Sequence, residues 1–373
     1  MNRHISPRLG VRSLFTFLVC FTVLALADGP PGANHRKQQS PPILLGTSGS
    51  NVKDINSRFC CTGTLGSLVK KGTSSYILSN NHVLARSNAA AIGEAIMQRG
   101  YVDTVPVCSK NGTINVANLS QFVKINFGGT TSNKVDAAIA KTISGRVSST
   151  GQLLDIGTVS TATTNPALNM KVTKSGRTTG QTFGTITSLN ATVLVGGYGA
   201  CGSGTNTAKF VGQFIVTPGS FSAGGDSGSL IVKKVTTGRP NPVGLLFAGS
   251  STATVANPIN SVLSALGVGF VGLPATSQEL ENAIPMATDQ RIEAASEVKN
   301  RYAGALLKLP EVVGHGVGYS RSGSGVAVIQ LFMRKATEQA RQVAPTQIEG
   351  VPVEIQETGD FRVVPNCGTT ARR

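Results

Sequence analysis

The feature that most restricts the fold is a series of short β-type runs, each closed by Gly, Asn or Ser, between about residues 51 and 275. Residues 63–70, 75–79, 171–174, 184–189, 192–195, 210–216, 229–233 and 243–248 are examples. Strands this short, at this spacing, predict a barrel or sandwich rather than βαβ units. Gly accounts for 44 of the 373 residues, charged residues for only 14%, and Trp is absent. That balance suits an all-β domain with tight turns and excludes wholesale disorder.

The texture changes after about residue 276. Ile292, Ala295, Val298, Tyr302, Ala305 and Leu306 recur at helical spacing. Strand candidates follow at 312–319 and 326–333, then a helix over 335–343 and a strand over 351–355, with a further candidate at 361–364. This α-β-β-α-β order predicts a small C-terminal α+β module over 276–373.

At the other end, residues 1–27 read as an export signal. Arg3, Arg8 and Arg12 precede an apolar run over 14–26, and Ala25-Leu26-Ala27 offers small residues for cleavage. The run is too short to span a bilayer, so no transmembrane segment is expected. A secreted protein, extracellular or periplasmic, follows from this reading. Residues 28–50, rich in Pro, Gly and Ser, read as a flexible leader or linker, and 51–275 as the main domain.

Cleaving the signal lowers the formal net charge from +16 to +13. The basic residues stand in ones and twos, without aromatic interleaving, so a soluble cationic monomer is expected rather than a specific nucleic-acid site. Five cysteines remain: Cys60, Cys61, Cys108, Cys201 and Cys367. No pair has metal-ligand spacing, and neither a metal nor a cofactor is expected. One or two disulfides fit an exported chain, with Cys60 or Cys61 to Cys108 the first pairing expected.

The chemistry concentrates at Gly224-Gly225-Asp226-Ser227-Gly228-Ser229. An attacking serine has to project from a tight turn whose amides face the carbonyl oxygen that becomes negative, and glycine lets backbone approach there. Ser227 is the candidate nucleophile, and the amides of Gly225 and Ser227 the candidate oxyanion hole. A base must take the serine proton. Of four histidines, His4 lies in the signal, His35 in the linker and His315 in the C-terminal module, where it reads as structural. That leaves His82, just past the apolar strand 76–79. Asp136 heads the apolar run 136–140, where a buried acid needs a partner, and is preferred over Asp103 and Asp155 as the group that orients His82. The order His82, Asp136, Ser227 is that of the chymotrypsin type.

Lys174-Ser175-Gly176-Arg177-Thr178-Thr179-Gly180, followed by residues 184–193, resembles the strand pair of streptogrisin and alpha-lytic type bacterial serine peptidases. The resemblance covers about residues 58–270. It implies two six-stranded antiparallel β-barrels, chymotrypsin-like, with the triad between them, and peptide cleavage through an acyl-enzyme on Ser227. It also implies that Lys174, or failing that Arg177, neutralises Asp226 and holds the oxyanion loop. Two departures stand out: no Cys closely follows His82, and Phe247 occupies the place of the serine that usually supports the triad acid. The specificity pocket would draw on Phe221, Ser222, Phe247 and Gly249, with no acid, which predicts small or apolar residues at the cleaved bond. The implied function is a secreted serine endopeptidase acting on protein or peptide substrates. The alternative is a catalytically inactive peptidase fold serving in binding or adhesion.

Overall fold

The computed structural model describes residues 1, 33–284, 289–323, 325–363 and 366–370. Apart from Met1, the export-signal reading lies outside the described residues. The first barrel is built from β1 (Thr47–Asn51), β2 (Phe59–Leu65), β3 (Ser67–Lys71), β4 (Ser74–Ser79), β5 (Ala95–Gln98) and β6 (Ile114–Phe122). It is completed, after the two-residue β7 (Ser132–Asn133), by β8 (Ala138–Thr142). Neighbours run antiparallel in the order β3-β4-β8-β6-β5-β1-β2. Only Gly66 parts β2 from β3, so the two act as one bent strand and the barrel closes with six.

Residues 33–50 are not a flexible linker. The short α1 (Ala33–Arg36) leads into a segment whose Ile43 and Leu45 lie fully buried among the first-barrel core residues. The Ile43 and Leu45 amides donate to Arg146 and Gln152 carbonyls at 2.9 Å, and residues 47–50 open β1. Ile43-Leu44-Leu45 is an apolar run hidden inside a Pro/Gly/Ser-rich composition, and its burial outweighs the turn-forming residues around it.

The second barrel uses β9 (Lys171–Gly176), β10 (Gly180–Tyr198), β11 (Asn206–Thr217), β12 (Leu230–Lys233), β13 (Pro242–Gly249) and β14 (Thr254–Pro258). The ladder β10-β9-β12-β13-β14-β11 closes where β11 pairs again with β10. The two barrels touch backbone to backbone. A Cβ placed on Gly66 would meet the Gly228 carbonyl oxygen at 2.0 Å, so only glycine allows the approach. Thr64 seals the same seam, its amide donating to the Ser227 carbonyl at 2.9 Å. Beside His82 stands the single turn α2 (Asn81–Leu84), and α3 (Ile259–Leu266) and β15 (Gly269–Phe270) cover the first barrel's outer edge.

After α4 (Ser277–Ala283), the C-terminal part contains α5 (Gln290–Leu306), β16 (Val312–Tyr319), β17 (Ala327–Met333), α6 (Glu338–Val343), β18 (Gln347–Ile348) and β19 (Val351–Glu357). The α-β-β-α-β order read from periodicity is present. Ile292, Ala295, Val298 and Leu306 form the buried stripe of α5. The part is not a separate module, however. Its sheet is continuous with the second barrel, because β16 pairs with the middle of the 19-residue β10. Bulges along β10 let one strand serve both sheets. Two last strands return to the barrels: β20 (Phe361–Arg362) and β21 (Asn366–Thr369).

Candidate active site

His82 and Asp136 meet at the seam. Asp136 precedes β8, while His82 sits on α2 just after β4, and β4 pairs with β8 from Ser79↔Ala138 onward. Adjacent strand ends therefore deliver the two side chains to one point. His82 Nδ1 lies 2.6 Å from Asp136 Oδ2, and both side chains are buried. The His82 amide donates to Asp136 Oδ1 at 3.3 Å. Asn80 Nδ2 holds the Asp136 carbonyl at 2.8 Å, and the Asp136 amide donates to Asn257 Oδ1 at 3.0 Å. A carboxylate only accepts, so Nδ1 carries a proton and Nε2 is the ring nitrogen turned away from Asp136. His82 Nε2 has no hydrogen-bond partner among the described residues.

A third donor to Asp136 comes from Tyr198, at the far end of β10. Its hydroxyl donates to Oδ2 at 2.9 Å, and its ring stands edge-on to His82 at 6.0 Å. Burial, and next the Asp136 charge, push the Tyr198 hydroxyl well above the usual phenol range, so it stays a donor. Tyr198 supplies the support that Phe247 cannot. Sequence inspection missed it because 62 residues separate Tyr198 from Asp136 and no local motif marks it.

Ser227 stands on the turn between η-type residues 219–221 and β12. Gly225 has φ +97°, a conformation that glycine adopts freely. Neither the Gly225 nor the Ser227 amide donates to a described acceptor. Ser227 Oγ points to the Phe247 carbonyl at 3.4 Å rather than to His82. The turn is held from beneath by Asp226. Its Oδ1 accepts from the Thr178 and Thr179 amides at 2.7 and 3.2 Å, and its Oδ2 from Thr179 Oγ1 and the Ala223 amide at 2.7 and 3.0 Å.

Lys174, fully buried, places Nζ 3.4 Å from Asp226 Oδ2 and also donates to Thr179 Oγ1 and the Gly180 carbonyl. Burial pulls the Lys174 ammonium below the usual lysine range, and Asp226 opposes that pull. Arg177 does not share the task. It pairs with Asp103 through Nε at 2.7 Å and Nη2 at 2.5 Å, because β2 and the 101–103 turn bring that acid beside it. Asp155, the other acid weighed, lies 2.7 Å from His35 Nε2, and His35 is buried rather than in a linker.

The pocket beside Ser227 measures about 90 Å³ and is lined by Ser222, Ala223, Gly224, Leu246, Ala248, Gly249, Ser250 and Arg362. Of the four residues expected to shape it, Ser222 and Gly249 line this pocket. Phe221 and Phe247 do not. Both are fully buried: Phe221 packs under β10, and Phe247 turns into a core with Phe210, 4.7 Å away between ring centres. The β13–β14 ladder is irregular between Leu246 and Ala248, and Phe247 faces the core while Leu246 and Ala248 line the pocket. Ser222 Oγ lies 2.6 Å from the Oγ1 of the buried Thr254, and no acid lines the pocket among the described residues.

On the His82 side a second cavity, about 280 Å³, is walled by Asp54, Cys61, Gly197, Cys201, Arg362, Val363 and Cys367 among others. Burial pushes the Asp54 carboxyl up to about 7, against the pull of Arg86 and His82. Cys60 is bonded to Cys108. Cys61 lies within bonding reach of both Cys201 and Cys367, with Cα separations of 5.6 and 4.3 Å, so these are alternative partners for it. The three sulfurs gather within 4.8 Å, a proximity that sequence spacing does not reveal.

Two closed six-stranded antiparallel barrels with the candidate site at their seam make this fold chymotrypsin-like. No family model and no curated protein matches the chain. Among solved structures it is similar to a glutamic acid specific serine protease at 21% identity, covering 61% of this chain and all of that one, TM-score 0.40. It is also similar to Thermobifida fusca Protease A (20% identity, 62% of this chain and 99% of that one, TM-score 0.39). A third is the Cellulomonas bogoriensis chymotrypsin (19%, 62% and 99%, TM-score 0.39). Likenesses this low add nothing to the chemistry, which rests on the site itself.

Proposed function

We propose that the protein is a secreted serine endopeptidase in which Ser227 is the nucleophile, His82 the general base and acid, and Asp136 its orienting carboxylate. The observation that carries this reading is the buried His82–Asp136 pair, fixed by the Nδ1–Oδ2 bond of 2.6 Å with Nε2 left unpartnered among the described residues. An imidazole held in this way through Nδ1 has Nε2 left to exchange a proton with Ser227.

In the reaction Ser227 Oγ leaves the Phe247 carbonyl, turns to His82 Nε2 and gives up its proton as it attacks the substrate carbonyl carbon. The amides of Gly225 and Ser227 receive the oxyanion, each worth on the order of 3 kcal/mol of barrier. His82 then protonates the departing amine, leaving an acyl-enzyme, and activates water to hydrolyse it. The Lys174–Asp226 pair keeps the turn in the shape this needs. The small, acid-free pocket fits small or apolar side chains at the cleaved bond rather than Lys or Arg. Export is supported by the bonded Cys60–Cys108 pair, since disulfides persist in oxidising compartments.

The alternative, a peptidase fold retired to binding, draws on the Ser227 Oγ contact with Phe247, which leaves nucleophile and base apart. A burst with p-nitrophenyl acetate separates the two. One equivalent of nitrophenolate per chain, lost in Ser227→Ala, is expected of the peptidase. Turnover that Ser227→Ala leaves unchanged would contradict it.

A further inference from the structure

The chain fills its own cleft. Gly249, two residues beyond the Phe247 carbonyl that Ser227 touches, pairs antiparallel with Arg362. On its other side β20 pairs parallel with Val195 and Gly196 of β10, and the Val363 amide donates to the Gly196 carbonyl at 3.0 Å. Past Ser227, β21 pairs antiparallel with β2: Asn366 opposite Thr62, Cys367 opposite Cys61, Gly368 opposite Cys60 and Thr369 opposite Phe59. The Thr370 amide extends the ladder to the Arg58 carbonyl at 2.9 Å. A Cβ on Gly225 would come within 3.0 Å of Asn366 Cβ, so β21 lies against the oxyanion turn. Arg362 lines the pocket beside Ser227, while Arg362, Val363 and Cys367 wall the cavity beside His82.

Two sheet edges flank Ser227, one from each barrel, and each presents unpaired backbone groups to an extended peptide. Both edges are already occupied, by segments only a few residues apart in one chain and running in one direction. We infer that residues 361–363 and 366–370 are an intramolecular ligand of the substrate cleft, seated as an extended peptide substrate would be, and that the chain as folded is self-inhibited. The inference rests on the peptidase reading for its inhibitory half only; the strand seat on β2 and Gly249 does not depend on catalysis. Phe361, buried against Phe332 with ring centres 5.8 Å apart, anchors the near end of the segment. The far end has no such apolar anchor: residues 366–370 are held by the β2 ladder and by Cys367 beside Cys61 and Cys201. Release would therefore begin at β21 in chains where Cys61 bonds Cys201 rather than Cys367.

The test uses the full chain with Gly368→Pro or, separately, Asn366→Pro, each at a hydrogen-bonded position of the β21 ladder, the alternate positions to Thr370. Two readouts are taken: hydrogen exchange at the Cys60 and Thr62 amides, which face β21 while those of Phe59 and Cys61 are bonded to Asn56 and Asp54, and the rate at which a fluorophosphonate labels Ser227. Expected are lost protection at Cys60 and Thr62, labelling at least ten times faster than in the parent, and reversal of both by a synthetic peptide of residues 359–370. Unchanged protection in both variants would overturn the seat. Lost protection with labelling rates equal to the parent's would overturn the inhibition. If protection is lost and no chain labels at all, the peptidase reading falls while the strand seat stands.

Discussion

At Asp136 three donors converge from two places in the chain: His82 Nδ1 and the His82 amide from one, the Tyr198 hydroxyl from the other. Each fixes the carboxylate, and through it the imidazole that has to receive the Ser227 proton. A hydrogen bond to a charged group is worth about 1.5–3 kcal/mol. Tyr198→Phe removes one without opening the core, because Tyr198 packs against Phe210 and Phe127 through its ring. The variant is expected to lower kcat roughly ten-fold with KM unchanged; an unaltered kcat would show that Asp136 needs no third donor. His82, Asp136 and Ser227 could be named as candidates from sequence because a serine in a glycine turn needs a base, His82 is the histidine left in the β-rich stretch, and Asp136 heads an apolar run where an acid needs a partner. Tyr198 and the Arg177–Asp103 pair could not, since contacts between distant strands leave no mark on either one's neighbours in sequence.

At the scale of elements, β10 does the most. It closes the second barrel with β11, carries Tyr198 to the site and gives β16 an edge to pair with. His315, opposite Thr192 in that pairing, is fully buried beneath α5. Burial, and next the Lys299 ammonium, hold its imidazole down to about 3, so the folded chain keeps it neutral. Unfolded, it protonates near its ordinary value of about 6.5. The unfolded state thus binds more protons between these values, and stability falls as pH drops from about 6.5 toward 3, by at most about 1.4 kcal/mol per pH unit. Lys299, pulled by burial to about 8, titrates above that window and does not confuse it. Asp54, raised to about 7, gains stability over the same range, so the test is a difference: unfolding measured at pH 7.5 and 5.5 is expected to show the parent losing stability relative to His315→Gln as pH falls, and an unchanged difference would remove His315 as a cause. Helix α5 was legible from its 3.6-residue stripe, and the α-β-β-α-β order with it. What failed was separateness. A leader of Pro, Gly and Ser conceals Ile43 and Leu45, and an apolar strand such as 312–319 does not announce whose sheet it joins.

Across the whole molecule, two barrels meet at glycines, an acid–base pair sits in the seam, and the chain's own end lies along both walls of the cleft. The double-barrel fold was legible because strand length, turn chemistry and the order of three residues all pointed one way; the occupied cleft was not, because residues 361–370 carry no motif. The most direct test of the account is fluorophosphonate labelling of the purified chain followed by peptide mapping. The account requires the adduct on Ser227, formed in the parent and faster in Gly368→Pro, and absent from His82→Ala. Absence of a Ser227 adduct from both the parent and Gly368→Pro would contradict it.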